Sequence, residues 1–416
     1  MVELYDSPAQ MEPLSINDSR PMHESLIGLA HELSEASACL DSALAPATAR
    51  SLSTLVEEMN CYYSNLIEGH HTLPLEIAKA QRQLSEKQRD LKSLAAGHIE
   101  ANKRAKTLDL HTDNLLPSML EIHRQLCSRL PTDLLTLSDG SIMEPGKFRD
   151  KDVSVGIHVA PAAPFLMDFL HRYASFYGRQ LEWAKQGGYS KLCGIIAAMA
   201  AHHRLVWIHP FPDGNGRVSR IILDAMLRIC GIKGASLWSI SRGFAKTEAS
   251  YKTSLAMADQ TRMDNLDERG YLSEKRLAEF CTYALITAMD QVKFISQTFA
   301  LEQFTSRTQG YFQRVRFDLK PEAQHLYLHA FTTGEFERME AGRITGLPER
   351  TARNILAGLL DEGLLESDSP KGKVRIGFPV HALGSLLPNL YPAGDVDVLT
   401  PTATKAGSRR RTGRKE

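Results

Sequence analysis

Apolar residues along this chain recur mostly three and four apart, the spacing of one helix face, and only one short stretch alternates. Leu26, Ile27, Leu29, Ala30 and Leu33 predict a helix over 23–39, and Leu52, Leu55, Val56, Met59, Tyr63 and Leu66 predict another over 48–66. A long charged helix follows over 74–106 (Ile77, Ala80, Leu84, Leu91, Leu94). Residues 113–130 make the next, with Pro117 tolerated in its first turn. Residues 166–183, 189–205, 218–229, 245–257 and 278–301 keep the same period. The exception is Val153, Val155, Ile157 and Val159, whose period of two predicts a small β-hairpin.

Beyond residue 320 the pattern changes. Helices are expected over 321–331, 335–341 and 349–362, with a turn at Ile344–Pro348 before the third. A two-stranded wing follows over 364–378, with Pro370–Lys373 at its tip, which is the element order of a winged helix-turn-helix. The expected organisation is a loose arm over 1–22, a helical region over 23–106, a helical core with a β-hairpin flap over 107–305, a winged-helix domain over 315–392 and a disordered tail over 393–416. The fold class is mainly α.

Composition narrows this picture. The 416 residues suffice for two or three domains, and 43% hydrophobic content is ordinary for a globular chain. Lys+Arg and Asp+Glu are both 49, so no overall basic bias marks a general nucleic-acid binder. The six cysteines include no CxxC pair and read as reduced core residues. No apolar run approaches a membrane span, and the N-terminus lacks a signal-peptide pattern, so a cytoplasmic protein without membrane partners is expected. His70, His71, His98, His202 and His203 lack metal-site spacing, and the HxxxH pair His325 and His329 lacks the metalloprotease glutamate.

The chemistry is concentrated in His209–Arg220, HPFPDGNGRVSR, between two apolar helices. Gly214 and Gly216 have no Cβ, so a ligand can approach their N–H groups, and they open a helix whose N-terminus attracts anions. Arg217 and Arg220 are three apart and share a face; cations there are unfavourable for the helix itself, which points to a strong anion. Arginine's planar fork suits phosphate. Asp213 is a hard oxygen ligand suited to Mg²⁺ beside phosphates, and His209 can act as a general base near neutral pH.

His209, Phe211, Asp213, Gly214, Asn215, Gly216, Arg217 and Arg220 match the HxFx(D/E)GNGRxxR signature, and the chain resembles the Fic family. The resemblance implies a helical core that transfers AMP from ATP, with Mg²⁺, to a hydroxyl of a target protein or of the chain itself. It implies His209 as base, Asp213 as metal ligand, and Gly214, Asn215 and Gly216 as the phosphate cradle. Arg217 and Arg220 would then hold the β- and γ-phosphates, and Phe211 would anchor the loop.

Other stretches resemble further family features. Ser64-Asn-Leu-Ile-Glu68-Gly69 resembles the (S/T)xxxE(G/N) inhibitory motif, which implies an inhibitory helix over about 48–69 whose Glu68 pairs with Arg220. By spacing alone, Ser64 and Glu68 share a helix face, and a glutamate in the last turn opposes the helix dipole. Gly146 and Arg149 resemble the lead-in to a target-docking flap, here Val153, Ser154, Val155, Gly156, Ile157 and His158. Tyr251 resembles a residue that holds adenine, although Lys252 departs from the family pattern and leaves the base less specified. Arg350 and Arg353, with Lys371 and Lys373 at the wing, are candidate DNA contacts; a protein-interaction or dimerisation module, such as a homodimer contact, is the equal alternative. Two other readings of function stay open: removal of AMP, alone or with addition, and a DNA-binding regulator whose core senses nucleotide.

Overall fold

In a computed structural model the structure describes residues 5–11, 13–14, 21–82, 89–156, 158–262, 271–392 and 395. Seventeen α-helices occur among them. They are α1 (Pro21–Ala43), α2 (Pro46–Ile67), α3 (Pro74–Arg82), α4 (Arg89–Ala105), α5 (Leu115–Cys127) and α6 (Thr132–Leu135). After the hairpin β1 (Ser154–Val155) and β2 (His158–Val159) come α7 (Leu166–Ala184), α8 (Gly188–Ile208), α9 (Asn215–Ile229), α10 (Ile240–Lys246), α11 (Glu248–Ala258), α12 (Glu274–Thr298) and α13 (Leu301–Arg314). The C-terminal part has α14 (Ala323–Thr333), β3 (Glu335–Phe336), α15 (Ala341–Thr345), α16 (Glu349–Asp361), β4 (Leu365–Glu366), β5 (Val374–Ile376) and α17 (Val380–Leu386).

The core is built around α8, which is apolar on all sides and packs against α7, α9, α12 and α1. Small residues let the neighbours close in: a Cβ on Gly194 would lie 2.4 Å from Ala184 Cβ. Likewise a Cβ on Gly97 would lie 2.3 Å from the Leu126 carbonyl, so α4 and α5 cross almost backbone to backbone. No described helix is long and apolar enough to cross a membrane.

Several expectations need correction. Where described, the N-terminal arm is seated on the core: Met11 and Leu14 are buried, and Tyr5 lies edge-on to Trp207 with ring centroids 4.7 Å apart. Its backbone is held as well, because Tyr5 O accepts from Ala162 N at 2.9 Å and Met11 O from Arg172 Nε at 3.1 Å. The prolines of this stretch do not stop its apolar side chains from finding a surface. The helix expected over 245–257 is α11, which starts after Thr247; before it lies α10, which no expectation covered, capped by Ser239 whose side chain accepts from Arg242 N. Helix α13, which the sequence reading did not anticipate and most of which falls between the expected core and C-terminal domain, packs with the latter, since its buried Phe304 stacks on Phe331 at 4.0 Å. Residues 335–336 are a strand, not a helix start: Gly334, at φ +86°, ends α14 and the next residues pair with β5. The wing therefore belongs to a three-stranded sheet in the order β3-β5-β4. Cys39 is exposed; the other five cysteines are buried thiols. Apart from Asp395, the expected tail lies outside the described residues.

Candidate active site

Helix α8 ends at His209, which adopts the left-handed conformation (φ 51°, ψ 61°) and is one of two described non-glycine residues with positive φ. Fasteners on both sides hold this turn. The buried Arg149 donates from Nε to His209 O at 2.8 Å and from its backbone N to Pro210 O at 2.9 Å, while its Nη2 reaches Pro161 O. On the other side Asn215 Oδ1 accepts from Phe211 N at 2.8 Å, and its Nδ2 donates to Phe211 O at 2.7 Å. The Asn215 side chain is therefore committed to closing the loop, and only its backbone is left to face a ligand. Burial, with His158 as the second cause, pushes the His209 imidazole down to about 4, so it is neutral at physiological pH.

His123, on α5, lies beneath the loop, stacked on Phe211 with centroids 4.0 Å apart and planes 2° from parallel. Its Nδ1 accepts from Gly146 N at 2.8 Å, so the neutral ring carries its proton on Nε2 and donates to Asp213 O at 3.2 Å. Burial holds its pKa near 4, which keeps that tautomer neutral. The residue did not stand out in the sequence, although one polar side chain on the buried stripe Met119, Ile122 and Leu126 was a usable signal.

Gly214, left-handed at φ 79°, caps α9 and turns the chain into the helix. Arg217 is only 2% exposed; its Nη2 meets Asp213 Oδ2 at 3.2 Å, while Nε and Nη1 have no hydrogen-bond partner among the described residues. Buried guanidinium donors without acceptors are costly, and at a helix N-terminus they fit an anion. Asp213 is 54% exposed, and no three His, Cys, Asp or Glu side chains cluster as a metal site among the described residues. A divalent ion here fits as one carboxylate supplemented by phosphate oxygens and water.

Arg220 is engaged through Nε and Nη2. Its Nε donates to Ser64 Oγ at 3.0 Å, and its Nη2 donates to Ser64 O at 2.9 Å and to Glu68 Oε1 at 2.7 Å. Glu68 is the C-cap of α2, followed by Gly69 at φ +80°. His70 N reaches back to Asn65 O and Gly69 N to Leu66 O, which pins the helix end. Burial works against the Glu68 charge, but the Arg220 guanidinium outweighs it and holds the carboxyl below its ordinary range. Glu68 also fills space: a Cβ on Gly216 would sit 2.1 Å from its Oε1.

The flap pairs Ser154 with Val159 and Val155 with His158, and its outer residues are exposed, Val155 by 51%. Val153 precedes the first strand, Gly156 turns at φ +60°, and Ile157 lies outside the described residues. His158 ties the flap down, with Nε2 donating to Trp207 O at 2.8 Å and Nδ1 3.3 Å from Asp259 Oδ2. Asp259 also meets His203 Nε2 at 3.1 Å. No local sequence signal marked Asp259, which comes from the end of α11.

Two groups of expected residues are placed differently. Tyr251 is 2% exposed, bonds His202 through its hydroxyl at 2.9 Å and stacks on Phe244 at 4.4 Å. Its ring is a core residue beside Arg220 and offers no open face to a base. The basic residues of the C-terminal unit are interleaved with acids: Arg353 meets Glu349 at 3.1 Å, and Lys373 meets Glu335 at 3.2 Å. Arg350 and Lys371 are exposed nearby, but this face forms no unbroken basic patch.

The buried histidines predict a pH response. Burial lowers His98 and His202 to about 3 and His123 and His209 to about 4, against 6.5 for the free side chain. The unfolded chain thus takes up these protons first, so their stabilisation is complete above pH 6.5 and is lost as pH falls toward 3. The melting temperature should drop between pH 6.5 and 4, and His123→Gln, which cannot charge, should make that drop shallower. An equal slope in the variant would contradict the assignment.

The Fic/DOC family model matches residues 116–227. Protein adenylyltransferase Fic of Drosophila virilis is 33% identical over 116 residues, covering 28% of this chain and 20% of that protein. The Drosophila melanogaster protein of the same name is 31% identical over 119 residues, covering 29% and 21%. The chain thus spans about a fifth of the length of the curated relatives it matches. Among solved structures, a Fic family protein from Desulfovibrio desulfuricans G20 aligns at 17% identity and a TM-score of 0.49, over 88% of this chain and 98% of that one. The loop from His209 to Arg220, all of α8 and α9 as far as Leu227 lie within the matched stretch, so the part of the chain that matches the Fic/DOC family model includes the candidate site.

Proposed function

We propose that this chain is a protein adenylyltransferase that moves AMP from ATP to a hydroxyl side chain of a target protein, and that Glu68 holds it off. The observation that carries the reading is Arg217: a buried guanidinium with two unpartnered donors at the N-terminus of α9, one loop away from a neutral His209. Anion donors and a proton acceptor meet there, the pairing that phosphoryl-type transfer needs.

In this reading a ring nitrogen of His209 takes the proton of the target hydroxyl. The hydroxyl oxygen bonds to the α-phosphorus, the bond from that phosphorus to the bridging oxygen breaks, and pyrophosphate leaves. Arg149 and Asn215 hold the loop so that His209 does not relax out of its left-handed turn. Arg217 and the backbone N–H groups at Gly214–Gly216 bind phosphate oxygens. Asp213, set by His123 through its carbonyl, is the residue that would hold Mg²⁺, which supplies charge neutralisation on the phosphates when bound. The flap's exposed strand would register an extended target segment by main-chain pairing.

Incubating the Glu68→Gly variant with ATP labelled on the α-phosphate and a cell lysate should label a protein band, on a partner or on the chain itself. Arg217→Ala in that background should lower labelling roughly 10²–10³-fold, the effect of losing one anion donor. No label with α-labelled ATP, under conditions where the variant binds nucleotide, would sink the reading. The ionised Glu68 carboxylate beside Gly216 also favours a second reading, removal of AMP with Glu68 orienting water. Release of AMP from a purified labelled product by wild type but not by Glu68→Gly would identify it.

A further inference from the structure

Helix α2 carries Glu68 at its end, and the C-terminal unit grips it at both ends. Near its start, Thr48 Oγ1 donates to Phe331 O at 2.9 Å and Ser51 Oγ to Ile376 O at 2.7 Å. Thr48 is fully buried there, and Gly334 is so close to Ala45 that a Cβ would lie 3.0 Å from the Ala45 Cβ. Near its end, Tyr63 donates its hydroxyl to Leu390 O at 2.7 Å, and its ring stacks on Tyr391, with planes 7° apart. Tyr62 lies edge-on to Tyr391 at 5.1 Å and bonds Asp395, as does His71 at 2.8 Å.

The segment after α17 is itself bolted to the core. Arg242 Nη2 donates to Asn389 O at 2.7 Å, its Nη1 to Gln291 Oε1 at 2.7 Å, and its guanidinium lies 3.6 Å over the Phe294 ring. Asn389 adopts φ 64°, the other described non-glycine residue with positive φ. A left-handed residue costs energy and persists only when its surroundings enforce it. The turn at Asn389 presents a carbonyl to Arg242 and brings Leu390 and Tyr391 against α2 at Tyr63, about one helical turn before Glu68.

We infer that the C-terminal unit is the brace that sets the position of the inhibitory helix, and that a partner displacing residues 389–391 or β5 from α2 withdraws Glu68 from Arg220. The inference rests on the inhibitory reading of Glu68 given above. Its physical basis is that α2 meets Arg220 through Ser64 and Glu68 at its last turn, while bonds to Phe331 O and Ile376 O near its start and to Leu390 O near its end tie the same helix to the C-terminal unit. Coupling of binding is reciprocal: where a phosphate competes with Glu68 for Arg220, a ligand that binds the C-terminal unit better when α2 is displaced tightens ATP, and ATP tightens that ligand by the same factor.

The test uses the full chain with Thr48→Val and Tyr63→Phe together, near-isosteric changes that remove the two donors and leave the packing. Amide hydrogen exchange in the last two turns of α2, up to Glu68, should quicken at least several-fold, with α8 and α12 unchanged. Unchanged exchange in α2, or an equal rise everywhere, overturns the brace whatever the activity. In the labelling assay the double variant should exceed wild type several-fold, and adding Glu68→Gly should bring no gain beyond Glu68→Gly alone. Labelling at the wild-type level, with Glu68→Gly active, overturns the brace and leaves the proposed function standing. If Glu68→Gly labels nothing, the function reading fails instead, and exchange alone decides the brace.

Discussion

Glu68→Gly should raise AMP transfer about ten- to thirty-fold over wild type. A hydrogen bond to a charged group contributes roughly 1.5–3 kcal/mol, which converts to about 10- to 150-fold. The Glu68 side chain is 34% exposed, so solvent screening favours the lower part of that range. The gain comes from Arg220, which in the wild-type structure spends its Nη2 on Glu68 and on Ser64 O, leaving a third phosphate oxygen without its donor. The substitution itself is mild. Position 68 is a helix C-cap, and the Schellman bonds that end α2 run through the backbone of residues 65, 66, 69 and 70. Arg220→Ala should give no gain, because it removes the inhibitory partner and the phosphate donor together. The readout is the initial rate of labelled AMP incorporation at equal protein; a rate equal to wild type in Glu68→Gly would refute inhibition by this contact.

His209→Ala in the Glu68→Gly background should lose 10²–10⁴-fold in transfer, the usual effect of removing a placed general base. Nucleotide binding should persist, since Arg217, Arg220 and the start of α9 are untouched. Because His209 titrates near 4, the Glu68→Gly variant should show no loss between pH 8 and pH 6 assignable to this residue. A binding defect equal to the rate defect would make His209 a ligand contact and not the base.

The loop and the Ser64–Gly69 helix end were legible because each is local. His209–Arg220 carries its chemistry in one turn and two helical steps, and Ser64, Glu68 and Gly69 share one helix end; fixed spacing puts such residues together whatever surrounds them. Most helices likewise followed from period; α10, started by its Ser239 cap, did not, and Gly334 ended α14 before β3 where a helix start was expected. Tyr251 was misplaced because the same helical spacing serves a core residue and a base contact, and only packing against Phe244 distinguishes them.

What supports the site came from elsewhere in the chain. Arg149 holding His209, His123 holding Asp213 and Asp259 holding His158 are each contacts between separate elements, and no local pattern encodes a pairing that loop closure creates. The sequence by itself determined which chemical groups the molecule owns and the order in which they meet a ligand, because that depends on covalent spacing. Only the tertiary structure decided that Arg220 already has its acid, that Arg217 is buried with two donor atoms unpaired among the described residues, and that the C-terminal unit grips the helix carrying Glu68. Burial and packing set which donors are satisfied, and burial is a property of the assembled core.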